Sequence, residues 1–352
     1  MASTAAPPST LGALDLVPKT DRQLKPKDFT SDQEVRWCPG CGDYAILATV
    51  RGVLPTLGLA PENVVFISGI GCSSRFPYYL DTYGFHSIHG RAPTLATGLA
   101  ITRPDLSVWT VTGDGDALSI GGNHLIHALR RNVNTRILLF NNRIYGLTKG
   151  QYSPTSEIGK ITKSSPTGSI DTPFNTMSLA LGAGATFVAR ALDSDRAGLT
   201  EVLDAAARHR GAAFVEILQD CPIFNDGSFD VLRKDDAADH LVHVRHGEPL
   251  VFGKDGEHCV VRRGFGLATA RTADTPPGDI VVHDAYSEDP GYAPALAALS
   301  GQDLRHTVTG VLRAVHRPTY DDQVRAQRTQ AAARPAPALQ DTLRGAHTWT
   351  VS

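Results

Sequence analysis

The sequence predicts an α/β protein built on a doubly wound parallel sheet with a C-terminal extension. Three observations predict it: short apolar runs rich in β-branched residues, amphipathic segments between them, and turn-rich, polar sequence after residue 229. Short and nearly continuous apolar runs are typical of parallel strands that are buried on both faces. We therefore expect ligands to bind beyond the carboxyl ends of these strands.

The predicted elements alternate along the first two thirds of the chain. Four runs are predicted as parallel strands, at residues 63–68, 106–112, 136–141 and 213–218. Four segments with apolar residues at helical spacing are predicted as connecting helices, at residues 44–57, 93–102, 118–131 and 196–208. We expect three regions: an N-terminal extension (1–36), a ligand-binding domain (37–229), and an extension of irregular structure suited to partner contacts (230–352).

Composition excludes several classes of protein. The chain has 34 Lys and Arg against 36 Asp and Glu, a net charge of -2, which disfavours nucleic acid or an anionic membrane as a partner. Hydrophobic residues make up 41% and charged residues 20%, a globular rather than a disordered composition. The first 30 residues lack the pattern of a signal peptide, and no run approaches the roughly 18 apolar residues of a membrane span. We expect a cytoplasmic chain with reduced cysteines.

Five cysteines are too few for a disulfide scaffold. Cys38 and Cys41 form a Cys-Pro-Gly-Cys turn, which alone fits a redox dithiol, half a zinc site or half an iron–sulfur site equally well. Cys72 and Cys221 each follow a predicted strand, at the edge where ligands are expected. Because 30 and then 148 residues separate the last three of these cysteines, the fold must assemble them, which favours a buried redox centre over a zinc module. Cys259 has no partner at useful spacing, so we expect it to be a buried apolar residue.

A Gly-Asp-Gly motif at residues 113–115 joins a predicted strand to a predicted helix. Its glycines let the backbone approach a phosphate, and a helix N-terminus favours an anion. Asp114 would repel that phosphate unless a divalent cation such as Mg²⁺ lies between them. Two asparagines follow 25 residues later, and the amide of Asn142 with the carbonyl of Ile144 would complete the protein's share of an octahedral site. Alone, the asparagine pair also fits an ordinary turn at the end of a strand.

Together these motifs resemble the β subunits of the 2-oxoacid:ferredoxin oxidoreductases, which are thiamine diphosphate enzymes. Gly-Asp-Gly followed by Asn-Asn at this spacing is similar to the thiamine diphosphate signature of that family. Four other segments resemble further family blocks: Trp-Cys-Pro-Gly-Cys-Gly at 37–42, Gly-Ile-Gly-Cys at 69–72, His-Gly-Arg at 89–91 and Tyr-Gly-Leu-Thr-Lys-Gly-Gln at 145–151. The resemblance covers residues 37–230 and is weaker through 246–249 and 317–320.

The resemblance implies a thiamine-diphosphate-binding fold and three cofactors: thiamine diphosphate, Mg²⁺ and one [4Fe-4S] cluster. The implied cluster ligands are Cys38, Cys41, Cys72 and Cys221. The implied Mg²⁺ ligands are Asp114, Asn142 and the carbonyl of Ile144. The residues expected at the cofactor are Ile70, Gly71, Cys72, Ser73, His89, Gly113, Asp114, Gly115, Asp116, Asn142, Ile144, Gly146, Leu147 and Thr148. His89 is also a candidate catalytic residue, with a packing or capping role as its alternative.

The resemblance further implies an oxidative decarboxylation. A 2-oxo acid and coenzyme A would give an acyl-CoA and CO₂, while electrons pass through the cluster to ferredoxin. Since no pyrimidine-binding domain is found in this sequence, the chain is expected to need an α subunit, in an α2β2 assembly. Two alternatives stay open: a non-redox thiamine diphosphate decarboxylase or carboligase, which needs no cysteines, and a zinc-stabilised, non-catalytic subunit.

Lys149 bears on the identity of the substrate. It follows the predicted metal ligand Asn142 by seven residues, on a loop expected at the ligand crevice. The Leu-Thr-Lys-Gly-Gln segment resembles members of the family that act on 2-oxoglutarate or on several 2-oxo acids. We therefore expect 2-oxoglutarate as substrate, with Lys149 at its distal carboxylate. The alternative is a solvated surface lysine.

Overall fold

The computed structural model describes residues 12–234, 236–335 and 337–351. The first 11 residues of the predicted N-terminal extension lie outside the described residues. None of the helices in the described part of the chain has the length and apolar character needed to span a lipid bilayer.

Strands and helices occur throughout the described chain. The strands are β1 (Val64–Ser68), β2 (Tyr83–His86), β3 (Ser107–Gly113), β4 (Arg136–Asn141), β5 (Phe187–Leu192), β6 (Ala213–Leu218), β7 (Leu241–Val244), β8 (Val251–Phe252), β9 (His258–Arg263), β10 (Gly266–Arg271) and β11 (Thr307–Ala314). The α-helices are α1 (Asp43–Val53), α2 (Ala92–Thr102), α3 (Gly122–Arg130), α4 (Thr176–Gly182), α5 (Arg196–Arg208), α6 (Tyr292–Leu299), α7 (Tyr320–Ala332) and α8 (Leu339–Arg344).

Eight of the strands form one sheet, in the order β2-β1-β3-β4-β6-β5-β11-β7. Neighbouring strands are parallel except for β11, which runs antiparallel to β5. Buried apolar side chains of α1 and α5 pack on one face of the sheet, and those of α3, α4 and α6 pack on the other. The predicted α/β class and doubly wound arrangement are confirmed, although the sheet is mostly, rather than wholly, parallel.

The four predicted strands correspond to β1, β3, β4 and β6, with bounds that agree to within one residue. Three predicted helices correspond to α1, α2 and α5, and α1 continues into a 3₁₀ turn at Leu54–Leu57. The helix predicted at 118–131 differs at its start, because a π-helical turn at Asp116–Ile120 precedes α3. This turn lies directly after the Gly-Asp-Gly motif, and such turns are frequent at functional sites.

The prediction of irregular structure after residue 229 is wrong. This region supplies β7 and β11 to the main sheet, and β8, β9 and β10 form a separate antiparallel sheet. The apolar pattern of β11 is interrupted at Gly310, where φ is +102° and a Cβ would lie 2.4 Å from the carbonyl oxygen of Val244. The polar helix α7 is also anchored, because Asp322 forms an ion pair with Arg210 at 2.6 Å.

Candidate active site

A cavity opens beyond the carboxyl ends of β1, β3 and β4. It is lined by residues 70–73, 113–116 and 144–148, together with His89, Phe140, Asn142 and Gln219. The lining includes every residue that the sequence predicted at the cofactor. The structure therefore brings these residues together, and their contact with a cofactor stays a prediction. Sequence reasoning missed Phe140, Tyr145 and Gln219, which adjoin the predicted motifs.

Asp114 lies at the base of this cavity and is only 3% exposed. Its Oδ2 accepts hydrogen bonds from Ser153 Oγ at 2.5 Å and Thr155 Oγ1 at 2.6 Å. Burial raises the pKa of Asp114 to about 6, and the two hydroxyl donors partly oppose this rise. A buried carboxylate of this kind is a suitable ligand for a hard cation, whose charge would stabilise the ionised form. The Ser-Pro-Thr segment that supplies both hydroxyls was not singled out from the sequence.

Asn142 and Ile144 lie on the loop after β4, at the same cavity. The side-chain Oδ1 of Asn142 accepts a hydrogen bond from the Ile144 backbone N–H at 3.2 Å. The side-chain amide of Asn225 donates to the Asn142 carbonyl at 2.9 Å, which ties this loop to the segment after β6. The residues that carry the three oxygen donors predicted for Mg²⁺ thus follow two adjacent strands and line one cavity.

Both carboxylate oxygens of Asp116 accept hydrogen bonds from the protein. Its Oδ2 accepts from Thr112 Oγ1 at 2.6 Å, and its Oδ1 accepts from the backbone N–H of Gly90 at 2.7 Å and of Ile70 at 3.1 Å. The Nδ1 of His89 also contacts this carboxylate. These bonds fix the loops after β1 and β2 to the end of β3. This geometry favours a positioning role for Asp116 over the predicted direct contact with a cofactor.

Tyr145 packs directly against the Gly-Asp-Gly motif. Its hydroxyl donates to the carbonyl of Gly115 at 3.1 Å, and a Cβ on Gly115 would lie 2.2 Å from Tyr145 Cε1. Real side chains do not approach so closely, so the position requires glycine.

Gly115→Ala is expected to lower the free energy of unfolding by about 1–3 kcal/mol, because the added methyl group must displace the Tyr145 ring. Urea unfolding measures this change. The matched control is Gly122→Ala in α3, where a Cβ meets nothing within 4 Å and stability should be unchanged or slightly higher. If Gly115→Ala were as stable as the wild type, the Tyr145 ring would be able to move away from the added methyl group without cost, which would contradict the prediction.

Four of the five cysteines converge beside this cavity. A Cβ on Gly146 would lie 3.5 Å from Cys72 Sγ and 3.7 Å from Cys221 Sγ, so these two sulfurs flank the same glycine. Cys38 and Cys41 lie in one turn, closed by a 3.1 Å hydrogen bond from the Cys41 N–H to the Cys38 carbonyl.

Neighbouring side chains hold this group in place. Trp37 Nε1 donates to the Cys72 carbonyl at 2.7 Å, and Gln219 Nε2 donates to Cys41 Sγ at 3.3 Å. Both partners belong to segments that carry or adjoin the cysteines themselves. The structure therefore fixes the positions of the thiols through the surrounding chain, as a preformed ligand set requires.

The four cysteines also influence one another electrostatically. Burial raises the pKa of Cys72 to about 12, and Asp43, Cys221 and Cys38 add to the rise. Burial likewise raises the pKa of Cys41, where Asp43 and two other cysteines contribute, and that of Cys221. Thiolates without a counter-ion are thus strongly disfavoured here, and bound metal is the usual agent that deprotonates such a group.

The spacing of these side chains bears on the kind of metal. Within residues 12–234, 236–335 and 337–351, no three His, Cys, Asp or Glu side chains are close enough to hold a single metal ion. Zinc needs four ligands within about 2.3 Å of one centre. In a [4Fe-4S] cluster the four thiolates bind different irons and lie further apart. The two kinds of site differ in this spacing, and the [4Fe-4S] cluster stays a prediction.

Lys149 directly follows three residues of the cavity lining. It is exposed, with φ at +76°, on the loop whose preceding residues Leu147 and Thr148 line the cavity. Its backbone N–H donates to the Gly146 carbonyl at 3.0 Å. The position of its ammonium group at the cavity and its contact with substrate stay predictions.

Comparison with known proteins agrees with this geometry. The family described as "Thiamine pyrophosphate enzyme, C-terminal TPP binding domain" matches residues 69–217. The chain is 72% identical over 339 residues to the 2-oxoglutarate oxidoreductase subunit KorB of Mycobacterium tuberculosis, covering 95% of this chain and 91% of that protein. It is 45% identical over 199 residues to the β subunit of 2-oxoacid:ferredoxin oxidoreductase 2 of Aeropyrum pernix, covering 56% of this chain and 64% of that protein.

A solved structure matches nearly the whole fold. The 2-oxoglutarate:ferredoxin oxidoreductase from Magnetococcus marinus, with 2-oxoglutarate, coenzyme A and succinyl-CoA bound, has a TM-score of 0.75 and 34% sequence identity. The match covers 93% of this chain and 98% of the matched chain. This chain therefore belongs to the family of 2-oxoacid:ferredoxin oxidoreductase β subunits.

Proposed function

We propose that this chain works with an α subunit, in an α2β2 assembly, to oxidise 2-oxoglutarate with coenzyme A to succinyl-CoA and CO₂, with ferredoxin as electron acceptor. The observation that carries the proposal is the position of four converging cysteines beside a cavity that holds a buried carboxylate at a Gly-Asp-Gly turn. The similarity to the 2-oxoglutarate oxidoreductase subunit of Mycobacterium tuberculosis supports the choice of substrate.

The proposed diphosphate site uses the chain's own polar groups. Asp114, Asn142 and the Ile144 carbonyl would hold Mg²⁺, and Ser153 with Thr155 would keep the carboxylate of Asp114 oriented. Thiamine diphosphate, when bound, supplies the electron sink for decarboxylation. Phe140 and Leu147 add apolar surface to the lining, which favours exclusion of water from the reacting atoms.

The proposed cluster site uses Cys38, Cys41, Cys72 and Cys221. Gly146 supports this assignment, because it belongs to the cavity lining and a Cβ on it would lie within 3.7 Å of two of the four sulfurs. A redox centre placed here would adjoin the reacting groups, which suits the transfer of single electrons. A non-redox decarboxylase or carboligase gives these cysteines no role, and a zinc-stabilised, non-catalytic subunit leaves the buried carboxylate unexplained.

His89 is proposed to act at the reacting end of the site. Asp116 contacts its Nδ1, which fixes the ring orientation and leaves Nε2 as the nitrogen available for a proton. The imidazole lines the cavity and is partly exposed to it, so it would donate or accept a proton at that atom.

Lys149 is proposed to bind the distal carboxylate of 2-oxoglutarate. Lys149→Ala is expected to lower kcat/KM for 2-oxoglutarate by about tenfold to a hundredfold, the value of one charge-assisted hydrogen bond, with little change for pyruvate. Steady-state kinetics with both 2-oxo acids measure the ratio of kcat/KM for 2-oxoglutarate to kcat/KM for pyruvate. The control is Lys163→Ala, at an exposed lysine on the loop between β4 and α4. Equal losses for both substrates would contradict a specificity role.

The overall proposal is tested by producing the chain together with a candidate α subunit under anaerobic conditions. The purified complex is assayed for coenzyme-A-dependent reduction of viologen with 2-oxoglutarate, pyruvate and other 2-oxo acids. We expect turnover that requires coenzyme A and thiamine diphosphate and is fastest with 2-oxoglutarate. Release of CO₂ without viologen reduction would instead support the non-redox alternative.

A further inference from the structure

A second cavity lies behind the diphosphate site, between the carboxyl ends of β4, β5 and β6 and the loop that precedes β11. Its volume is about 210 Å³, several times the roughly 30 Å³ that a water molecule takes up in the liquid. We call it the arginine cavity, because Arg143 and Arg190 both line it. Of the described residues in its lining, these two are the cations and Glu216 is the carboxylate, while Glu157 and Asp114 act on Arg143 from outside the lining.

Within the described chain, two of the three side-chain nitrogens of Arg190 donate hydrogen bonds. It is 6% exposed, and its Nε donates to Glu216 Oε2 at 2.6 Å, while Nη1 donates to Ser300 Oγ at 3.0 Å and to the Val308 carbonyl at 3.5 Å. Within the described chain, its Nη2 makes no hydrogen bond. A buried guanidinium with an unused N–H edge is well suited to an anionic oxygen.

Among the described residues, Arg143 has fewer hydrogen-bond partners than Arg190. Among the described residues it forms no ion pair, and its one side-chain hydrogen bond is a 3.5 Å contact from Nη2 to the Gln302 carbonyl. The ring centroid of Phe229 lies 5.5 Å from its Cζ, which holds the guanidinium in place.

The lining also includes the hydroxyl groups of Thr176 and Thr155. Thr176 is 2% exposed, and its Oγ1 makes no hydrogen bond within the described residues, although it is near enough to Glu216 to lower the pKa of that carboxyl. Thr155 Oγ1 lies 2.6 Å from Asp114 Oδ2 and 2.8 Å from Asn141 Oδ1. Because Thr155 lines the arginine cavity and also bonds to Asp114, only its hydroxyl group would separate a ligand in this cavity from Asp114.

We propose that the arginine cavity is a binding site for a small oxyanion, a phosphate or a carboxylate, held between Arg143 and Arg190. The site is separate from the diphosphate cavity, because it lies on the other side of Asn141 and Thr155. An anion bound there would act on Asp114 through Thr155, which hydrogen-bonds to that carboxylate, and would not contact the substrate.

Calorimetric titration of the full-length chain tests the proposal, with thiamine diphosphate and Mg²⁺ present so that the diphosphate cavity is not available. Inorganic phosphate and succinate serve as the two probes, and the tighter one identifies the ligand class. We expect saturable binding of at least one probe, weakened at least about tenfold in Arg143→Gln and unchanged in Arg263→Gln, an exposed arginine on β9. No saturable binding of either probe, or equal binding by Arg143→Gln, would overturn the proposal.

Crystals soaked in selenate give a second measurement that does not depend on a variant. The proposal expects an anomalous peak for selenium between the guanidinium groups of Arg143 and Arg190. A peak confined to the diphosphate cavity or to the protein surface would refute it.

Discussion

Asp114→Asn is expected to weaken Mg²⁺-dependent binding of thiamine diphosphate by at least about a hundredfold. The substitution removes the one anionic ligand proposed for the cation, while Ser153 and Thr155 can still donate to the remaining side-chain oxygen. Calorimetric titration with thiamine diphosphate at several Mg²⁺ concentrations measures the change. The control is Asp105→Asn, which removes an exposed carboxylate after α2.

The pH dependence of the same binding provides a further check. Because burial raises the pKa of Asp114 to about 6, the cation must displace a proton at lower pH. Mg²⁺-dependent binding should therefore weaken as the pH falls through about 6, and Asp114→Asn should lack this dependence. Full cofactor affinity in Asp114→Asn would contradict the assignment of this residue as a metal ligand.

Cys41→Ser is expected to remove most of the iron from the anaerobically purified protein, from about four atoms per chain to well below one. A serine hydroxyl is a poor ligand for iron, whereas it can keep the hydrogen bond from Gln219, so the turn itself should survive. Iron and sulfide analysis with visible absorption measures the loss. Viologen reduction by the complex should fall in proportion to the iron content.

Cys259→Ala is the matched control for that substitution. Cys259 is fully buried in β9, on the separate antiparallel sheet, and its removal affects packing alone. It should keep the full iron content with a modest loss of stability. If the two variants lost iron equally, the cysteines would not have the distinct roles assigned here.

Much of the candidate site could be predicted from sequence because its residues follow the ends of apolar strands. Asp114 and Asn142 come directly after β3 and β4, and strand order makes them neighbours. The hydroxyls of Ser153 and Thr155 could not be predicted in the same way, because an irregular loop brings them to Asp114. The role of Asp116 stays a prediction, because it lines the cavity while its oxygens bond to backbone N–H groups and to the Thr112 hydroxyl.

Two strands of the main sheet, β2 and β11, were harder to predict for a physical reason. β2 is an edge strand of four exposed residues, so it lacks the apolar run by which buried strands are recognised. β11 is interrupted by a β-bulge between Val311 and Arg313 and pairs antiparallel to β5. β11 depends on a partner that is distant in sequence, and local pattern carries little information about such pairing.

The central claim is that this chain holds a [4Fe-4S] cluster beside its thiamine diphosphate site. The most direct test adds 2-oxoglutarate and coenzyme A to the anaerobic complex with its α subunit, without an external electron acceptor, and follows the visible absorption of the cluster. We expect a brown protein whose absorption bleaches on addition of 2-oxoglutarate, and Cys41→Ser should show no such change. A colourless protein that contains zinc and no iron would contradict the account.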